Sequence, residues 1–153
     1  MLNIVLFEPE IPQNTGNIAR TCSAAGARLH LVHPLGFVID SAKLKRAGLD
    51  YWDTLDITHY RDTGEFLSVH AADELFFFTT KASRLYTDAA YPPDAYLIFG
   101  KETAGIDRAI LARYSERCLR LPMLPGKRSL NLSNCVAVAA FEALRQGGFA
   151  GMV

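Results

Sequence analysis

Strand-like and helix-like segments alternate along almost the whole chain, and no other feature restricts its fold as much. Leu2–Phe7 is a compact β-branched and aromatic run, and Glu8–Gln13, with two prolines, reads as loop. Asn14 or Thr15 then caps a helix that continues to about Ala25 and stops at Gly26, and Leu29–His33 is the next strand, closed by Pro34. Ser41–Ala47 is a short basic helix ending at Gly48, while Leu49–Tyr60 carries the aromatics Tyr51, Trp52 and Tyr60. Asp62 with Glu65 makes a capping pair for a helix reaching about Ala72. Glu74–Thr80 and Ala95–Phe99 are uninterrupted apolar strands, the polar loop KETAGI follows, a helix spans Asp107 to about Tyr114, and Cys118–Pro122 is the last strand before a C-terminal helix. The pattern predicts a single α/β domain over residues 1–153, with a mostly parallel sheet and helices on both faces. Ligands of such sheets sit beyond the C-terminal strand ends, so the loops after Thr80, Phe99 and Leu121 are expected to face one site.

Composition sets few limits beyond this. At 153 residues the chain is long enough to bury roughly two-thirds of its unfolded surface. Its net charge is zero, so RNA binding would have to come from local patches. Cys22, Cys118 and Cys135 match neither a disulfide framework nor a zinc knuckle, and read as reduced residues of a cytoplasmic protein. No apolar stretch approaches the ~20 residues of a membrane span, and LNIVLF at the start is strand-like, without the pattern of a secretion signal.

The chemistry is expected in Leu119–Arg145, where a strand runs into a turn held by Pro122, Pro125 and Gly126. Ser129, Asn131, Ser133 and Asn134 then crowd the entrance of a helix whose apolar residues Leu132, Val136, Ala139, Ala140 and Ala143 recur at helical spacing. One cap does not use four polar residues in six; the excess suits either a polar ligand such as a nucleoside or a buried polar network. Two further polar stretches fall at loop–helix junctions: Asn14–Asn17 with Arg20, and Phe99–Glu102. Arg20 lies one turn beyond the first of these, as a phosphate or ribose clamp or as a solvated cation beside Glu8 or Glu10.

Other chemistries are excluded by spacing. No GxGxxG follows the first strand, and Gly126–Lys127 lacks the flanking residues of a P-loop. His30 and His33 lie on or beside a strand, His59 and His70 are isolated, and none is spaced with Cys, Asp or Glu as a metal-ligand set, so each reads as a structural or surface residue. Leu132 and Asn134 are wrong for a glycine elbow around Ser133.

Taken together, NTGNIAR, FGKETAGI and LPMLPGKRSLNLSNCVAVAAFEAL closely resemble the three motifs of the SPOUT superfamily of methyltransferases. LNIVLFEPEIPQNTGN and LKRAGLDYWD resemble the subgroup of tRNA (cytidine/uridine-34 2′-O)-methyltransferases, and the likeness runs from Leu2 to about Gly148. The resemblance implies a C-terminal trefoil knot and a pocket for S-adenosyl-L-methionine. Its residues would be Phe78, Thr79, Gly100, Glu102, Leu121, Pro122, Met123, Ser129, Leu130, Asn131 and Ser133. It also implies a homodimer in which Asn14 and Arg20 act as catalytic residues towards a cofactor held by the other subunit, with a tRNA substrate, no membrane and no metal. Lys101, Ile106 and Phe78 depart from the residues usual in such motifs. Lys43, Lys45, Arg46, Lys81, Arg84, Lys127 and Arg128, with Tyr51 and Trp52 for stacking, are the candidates for RNA contact. Alternatives are methylation at another tRNA or rRNA site, or a non-catalytic RNA-binding or assembly factor on the same fold.

Overall fold

A computed structural model describes residues 1–39 and 52–153. The expected helix over Ser41–Ala47 lies outside the described residues, as do Lys43, Lys45, Arg46 and Tyr51. Six strands form one sheet: β1 (Asn3–Phe7), β2 (Arg28–Val32), β3 (Ile57–Tyr60), β4 (Leu75–Phe78), β5 (Tyr96–Phe99) and β6 (Cys118–Leu119). Their order is β3-β2-β1-β5-β4-β6, and every pairing is parallel. Four α-helices are described: α1 (Pro12–Ala25), α2 (Thr63–Val69), α3 (Arg108–Arg113) and α4 (Leu132–Gln146).

The uninterrupted apolar strands follow from burial on both faces. Ile4, Leu6, Leu29, Leu31, Phe76, Phe78, Leu97 and Phe99 point into the layer that holds Ile18 and Cys22 of α1 and Val136, Ala139 and Ala140 of α4. Their neighbours Val5, Phe7, Val32, Leu75, Phe77 and Ile98 point the other way, onto Phe66 of α2 and the residues of α3. The helices therefore lie on both faces, as expected. Gly26 ends α1 at φ +61°, with its N–H turned back to the carbonyls of Cys22 and Ser23.

Two local expectations change. Asn14 and Thr15 do not cap α1: the helix begins at Pro12 after an extended Ile11, and no side chain of the cap residue bonds to it. Proline presets the first helical residue and needs no acceptor for an N–H, the N–H groups of Asn14 and Thr15 turn to the Ile11 carbonyl, and those of Glu10 and Ile11 find a distant carboxylate, described below. Ile57–Tyr60, in the stretch to which the sequence assigns no element, is a strand at the sheet edge beside β2. Asp62 does cap α2, accepting from Glu65 N–H at 2.8 Å, but that helix ends at Val69.

The histidines are not isolated. Asn3 Nδ2 donates to the carbonyls of Met1 and Asp94, which leaves Oδ1 to accept from His30 Nε2–H at 3.1 Å. His30 Nδ1 then accepts from the Tyr60 hydroxyl at 3.0 Å, and that hydroxyl lies 2.8 Å from His70 Nε2. His70 Nδ1 is 2.7 Å from the Asp73 carboxylate. This chain of side chains ties β1, β2 and β3 to the end of α2. A second pair, His33 Nε2 and His59 Nδ1, meets at 2.9 Å.

His30 is 4% exposed, and burial, reinforced by the charge of His70, pushes its imidazole down to about 4. Because the unfolded chain takes up this proton first, the contribution of His30 is complete above about pH 6.5 and is lost as pH falls towards 4. The shift corresponds to about 3 kcal/mol. Urea unfolding followed across this window should show stability falling more steeply on acidification in the native chain than in His30→Gln, and parallel pH profiles would refute the assignment.

Candidate active site

The chain reverses its direction of travel across the sheet between β1 and β5, and the loops leaving β1, β4, β5 and β6 converge there at their C-terminal ends. They enclose a cavity of about 600 Å³, within the range of small-molecule sites. The loops after β4, β5 and β6 were expected to meet; the β1 loop joins them through Ile11 and Asn14.

The β5 loop, Gly100–Ile106, closes on itself through Gly105 N–H to the Lys101 carbonyl at 2.8 Å. A Cβ at position 100 would lie 2.2 Å from the Gly105 carbonyl carbon, so only glycine lets the loop fold back this tightly. The loop is then interlocked with the segment after β1. Lys101 Nζ donates to Glu8 at 2.6 Å, and Thr103 donates to Glu10 from its N–H at 3.0 Å and its hydroxyl at 2.8 Å. Those bonds from Thr103 hold the Glu10 carboxyl below the ordinary range, and the bond to Glu8 raises the Lys101 ammonium. Lys101, unusual in this motif, thus has its counterpart in Glu8.

Glu102 reaches across to the start of α1. It accepts from Glu10 N–H at 2.8 Å, from Ile11 N–H at 3.2 Å and from Asn14 Nδ2 at 3.0 Å. A carboxylate at a helix N-terminus is favoured both as acceptor and by the helix dipole, which is why no local cap is needed. Asn14 Oδ1 in turn accepts from Asn131 Nδ2 at 2.9 Å. Asn131 caps α4: its Oδ1 accepts from Ser133 N–H at 2.9 Å and from the Ser133 hydroxyl at 2.6 Å. Asn131 and Ser133 at this helix entrance therefore form a cap and a network that joins α1, the β5 loop and α4.

The β6 loop supplies the remaining wall. Thr79 N–H bonds the Leu119 carbonyl at 2.9 Å, and Arg120 is held on both sides, its N–H by the Arg84 carbonyl and its carbonyl by Tyr86 N–H, each at 3.0 Å. The Pro125–Gly126 turn closes with Lys127 N–H to the Leu124 carbonyl at 3.3 Å, Gly126 taking φ +79°. Phe78, bulkier than expected, lies face to face with Phe99 at 4.7 Å and floors the cavity with it.

Of the residues singled out in the sequence, Phe78, Thr79, Gly100, Glu102, Leu121, Met123, Ser129, Leu130 and Asn131 line this one cavity, together with Asn14 of the same chain. Pro122 and Ser133 are not in its wall; Ser133 is turned towards Asn131. Arg20 is on the solvent-facing side of α1, also outside the wall. Ile11, Lys81, Ile106, Arg128 and Cys135 do line it, although sequence reasoning assigned them no place there. Lys81 was visible only through the loop after Thr80 and, like Arg128, as a candidate for RNA contact; the others were signalled only by their place in or near the polar stretches.

A concave site walled by strand-end loops at the switch point of a parallel sheet defines an α/β protein that takes a small polar organic ligand. The relatives make the class particular. The chain belongs to the SpoU rRNA Methylase family, whose model matches residues 1–141. It is 51% identical to the tRNA (cytidine(34)-2′-O)-methyltransferase of Burkholderia pseudomallei, with 99% of each chain covered. A solved structure concerned with 2′-OH methylation of C/U34 on tRNA superposes with a TM-score of 0.90 at 44% identity, covering 97% of both chains. The AdoMet-bound rRNA methyltransferase of Sinorhizobium meliloti gives a TM-score of 0.81 at 28% identity over 94% of this chain and 56% of that one.

Proposed function

We propose that this protein transfers a methyl group from S-adenosylmethionine to the ribose 2′-hydroxyl of nucleotide 34, a cytidine or uridine, of tRNA. The full-length match to enzymes of that name carries the reading. The cavity is suited to the cofactor: about 600 Å³, an aromatic floor from Phe78 and Phe99, and mixed polar walls from the β5 and β6 loops. When bound, S-adenosylmethionine supplies an already activated methyl group. The protein's part is then to align the hydroxyl and to stabilise the charge that develops on its oxygen.

In this reading the Gly100, Leu121–Met123 and Ser129–Leu130 backbone encloses the cofactor, while Glu102, Asn14, Asn131 and Ser133 hold that wall in register. Arg20 is the catalytic cation. It sits outside its own cavity, which fits action on the site of a second subunit. The chain works as a homodimer and acts, as one SPOUT domain, in the cytoplasm, where the proposed tRNA substrate is; no described helix is long and apolar enough to cross a membrane. In this reading the C-terminal segment is knotted; the bonds of residues 84–91 to Arg120 and, through the Ala89 carbonyl and Tyr91 N–H, to Gln146 support it by bringing those parts of the chain together.

The outer face of α4 supports the dimer. Val138 and Phe141 are 41% and 44% exposed, on the same layer as Arg20. Phe141→Asp should shift the protein to a monomer in sedimentation and lower tRNA methylation at least about tenfold, since each site would lose its partner's arginine. A dimer of unchanged stability would place the interface elsewhere.

The deciding experiment incubates the protein and S-adenosylmethionine with a tRNA pool lacking this modification, then maps ribose methyl groups by nuclease digestion and mass spectrometry. Methylation at nucleotide 34 is expected. Methylation at another nucleotide would overturn the site, and none at all would overturn the reaction.

A further inference from the structure

Beside the cofactor cavity lies a second one, of about 500 Å³, which shares Lys81, Lys101 and the 104–106 stretch with it. Phe7, Ile106 and Ile110 give this second cavity an apolar floor. Its two carboxylates are already engaged: Glu8 by Lys101 at 2.6 Å, and Asp107 by Ala109 N–H at 2.8 Å. Its two exposed cations are not. Lys81 and Arg108 make no side-chain hydrogen bond or ion pair with any described residue. Both also line a third, smaller cavity that borders the first at Thr79 and Lys81, so that Lys81 faces all three cavities and Arg108 the second and third.

An apolar floor of nucleoside size under a rim where Lys81 and Arg108 form no ion pair with a described residue is the complement of a nucleotide with its phosphate. We infer that the second cavity receives a nucleotide of the RNA substrate next to the one methylated, with its phosphates held by Lys81 and Arg108. The assignment rests on the methyltransferase reading for its substrate, and on the cavity and its charges for its place. Lys101 does not serve as a phosphate ligand here, because Glu8 neutralises it. Its part is to form the wall between the two cavities.

The test uses an RNA hairpin reproducing an anticodon stem and loop, full-length tRNA, and the variant Lys81→Ala with Arg108→Ala. For two single-strand phosphate contacts the slope of log K against log salt should fall by about 1.4. Hairpin affinity near 0.1 M salt should drop about ten- to thirtyfold and KM for tRNA should rise in step. The single variant Arg108→Ala, whose residue lies outside the cofactor cavity, should bind S-adenosylmethionine by calorimetry as the native chain does, and the melting temperature should stay native. Arg113→Ala, which removes a cation from the other end of α3, should leave the slope unaltered. Unchanged hairpin affinity and slope in the double variant would overturn the assignment, even with nucleotide 34 fully methylated by the native protein. Loss of hairpin binding in the variant, alongside a native protein that methylates another nucleotide, would keep the subsite and remove the position-34 reading. A native protein that does not bind the hairpin overturns the subsite outright.

Discussion

Arg20→Ala is expected to lower tRNA methylation by a factor of about 100 to 1,000 while leaving the dissociation constant for S-adenosylmethionine within about twofold, the size of effect seen when one charge-stabilising donor is removed from an active site. The two halves of that expectation come from its position. Arg20 lies on the exposed side of α1 and takes no part in the wall of its own cavity, so cofactor binding does not depend on it. A guanidinium stays protonated, which makes it a poor acceptor for the hydroxyl proton and a good partner for a phosphate and for a developing alkoxide. In the proposed reaction the proton leaves through phosphate or water.

The geometry also makes Arg20 testable as a residue that acts across subunits. A chain with Arg20→Ala and a chain with a disabled cavity are both inactive alone. Co-refolded in equal amounts, half of the dimers are mixed, and each mixed dimer has one site with an intact cavity facing an intact arginine. About a quarter of native activity per chain should return. If no activity returns, Arg20 serves its own protomer, and the solvent-facing position must change on RNA binding. Loss of cofactor affinity in the single variant would instead make Arg20 part of the binding site.

What the sequence made legible and what it did not divide along the range of the forces involved. The apolar runs of β1, β4 and β5 and the periodic face Val136, Ala139, Ala140, Ala143 are local patterns, and they predict the layers that form. The cap of α2 by Asp62 is equally local. The start of α1 is not: the N–H groups of Glu10 and Ile11 that lead into it are held by Glu102, about ninety residues away, so a reader of local caps chooses Asn14 or Thr15 instead. His70 looks isolated for the same reason, since Tyr60 and His30 reach it only once β2 and β3 are paired. At the site, the polar richness around Asn131 was visible, but whether it faced a ligand or its own neighbours was a matter of geometry. Asn131 and Ser133 turned out to be spent largely on each other and on Asn14. Phe78 is large because Phe99 stacks on it, a pairing set by the register of β4 against β5.

The same interlocking makes Gly100 the most sensitive position in the cavity wall. Alanine there would put a carbon 2.2 Å from the Gly105 carbonyl carbon and 2.3 Å from Ile106 N, both backbone, so the loop itself would have to move. Moving it breaks the Gly105–Lys101 closure and withdraws Glu102 from the start of α1, so the damage spreads to Asn14 and through it to Asn131. Overpacking of this kind costs about 1–3 kcal/mol, which for a chain of this length lowers the melting temperature by about 3–10 °C. Affinity for S-adenosylhomocysteine should weaken by at least about 100-fold, because the wall it touches no longer exists in one position. Gly105→Ala is the control: φ is +70° there, but no atom lies within 4 Å of the added carbon, so only the backbone preference of about 1 kcal/mol is lost. Calorimetric titration and scanning of both variants decide the matter. A Gly100→Ala protein that melts early yet binds the nucleoside with native affinity would show that the Gly100–Ile106 loop supports the fold without forming the cofactor site.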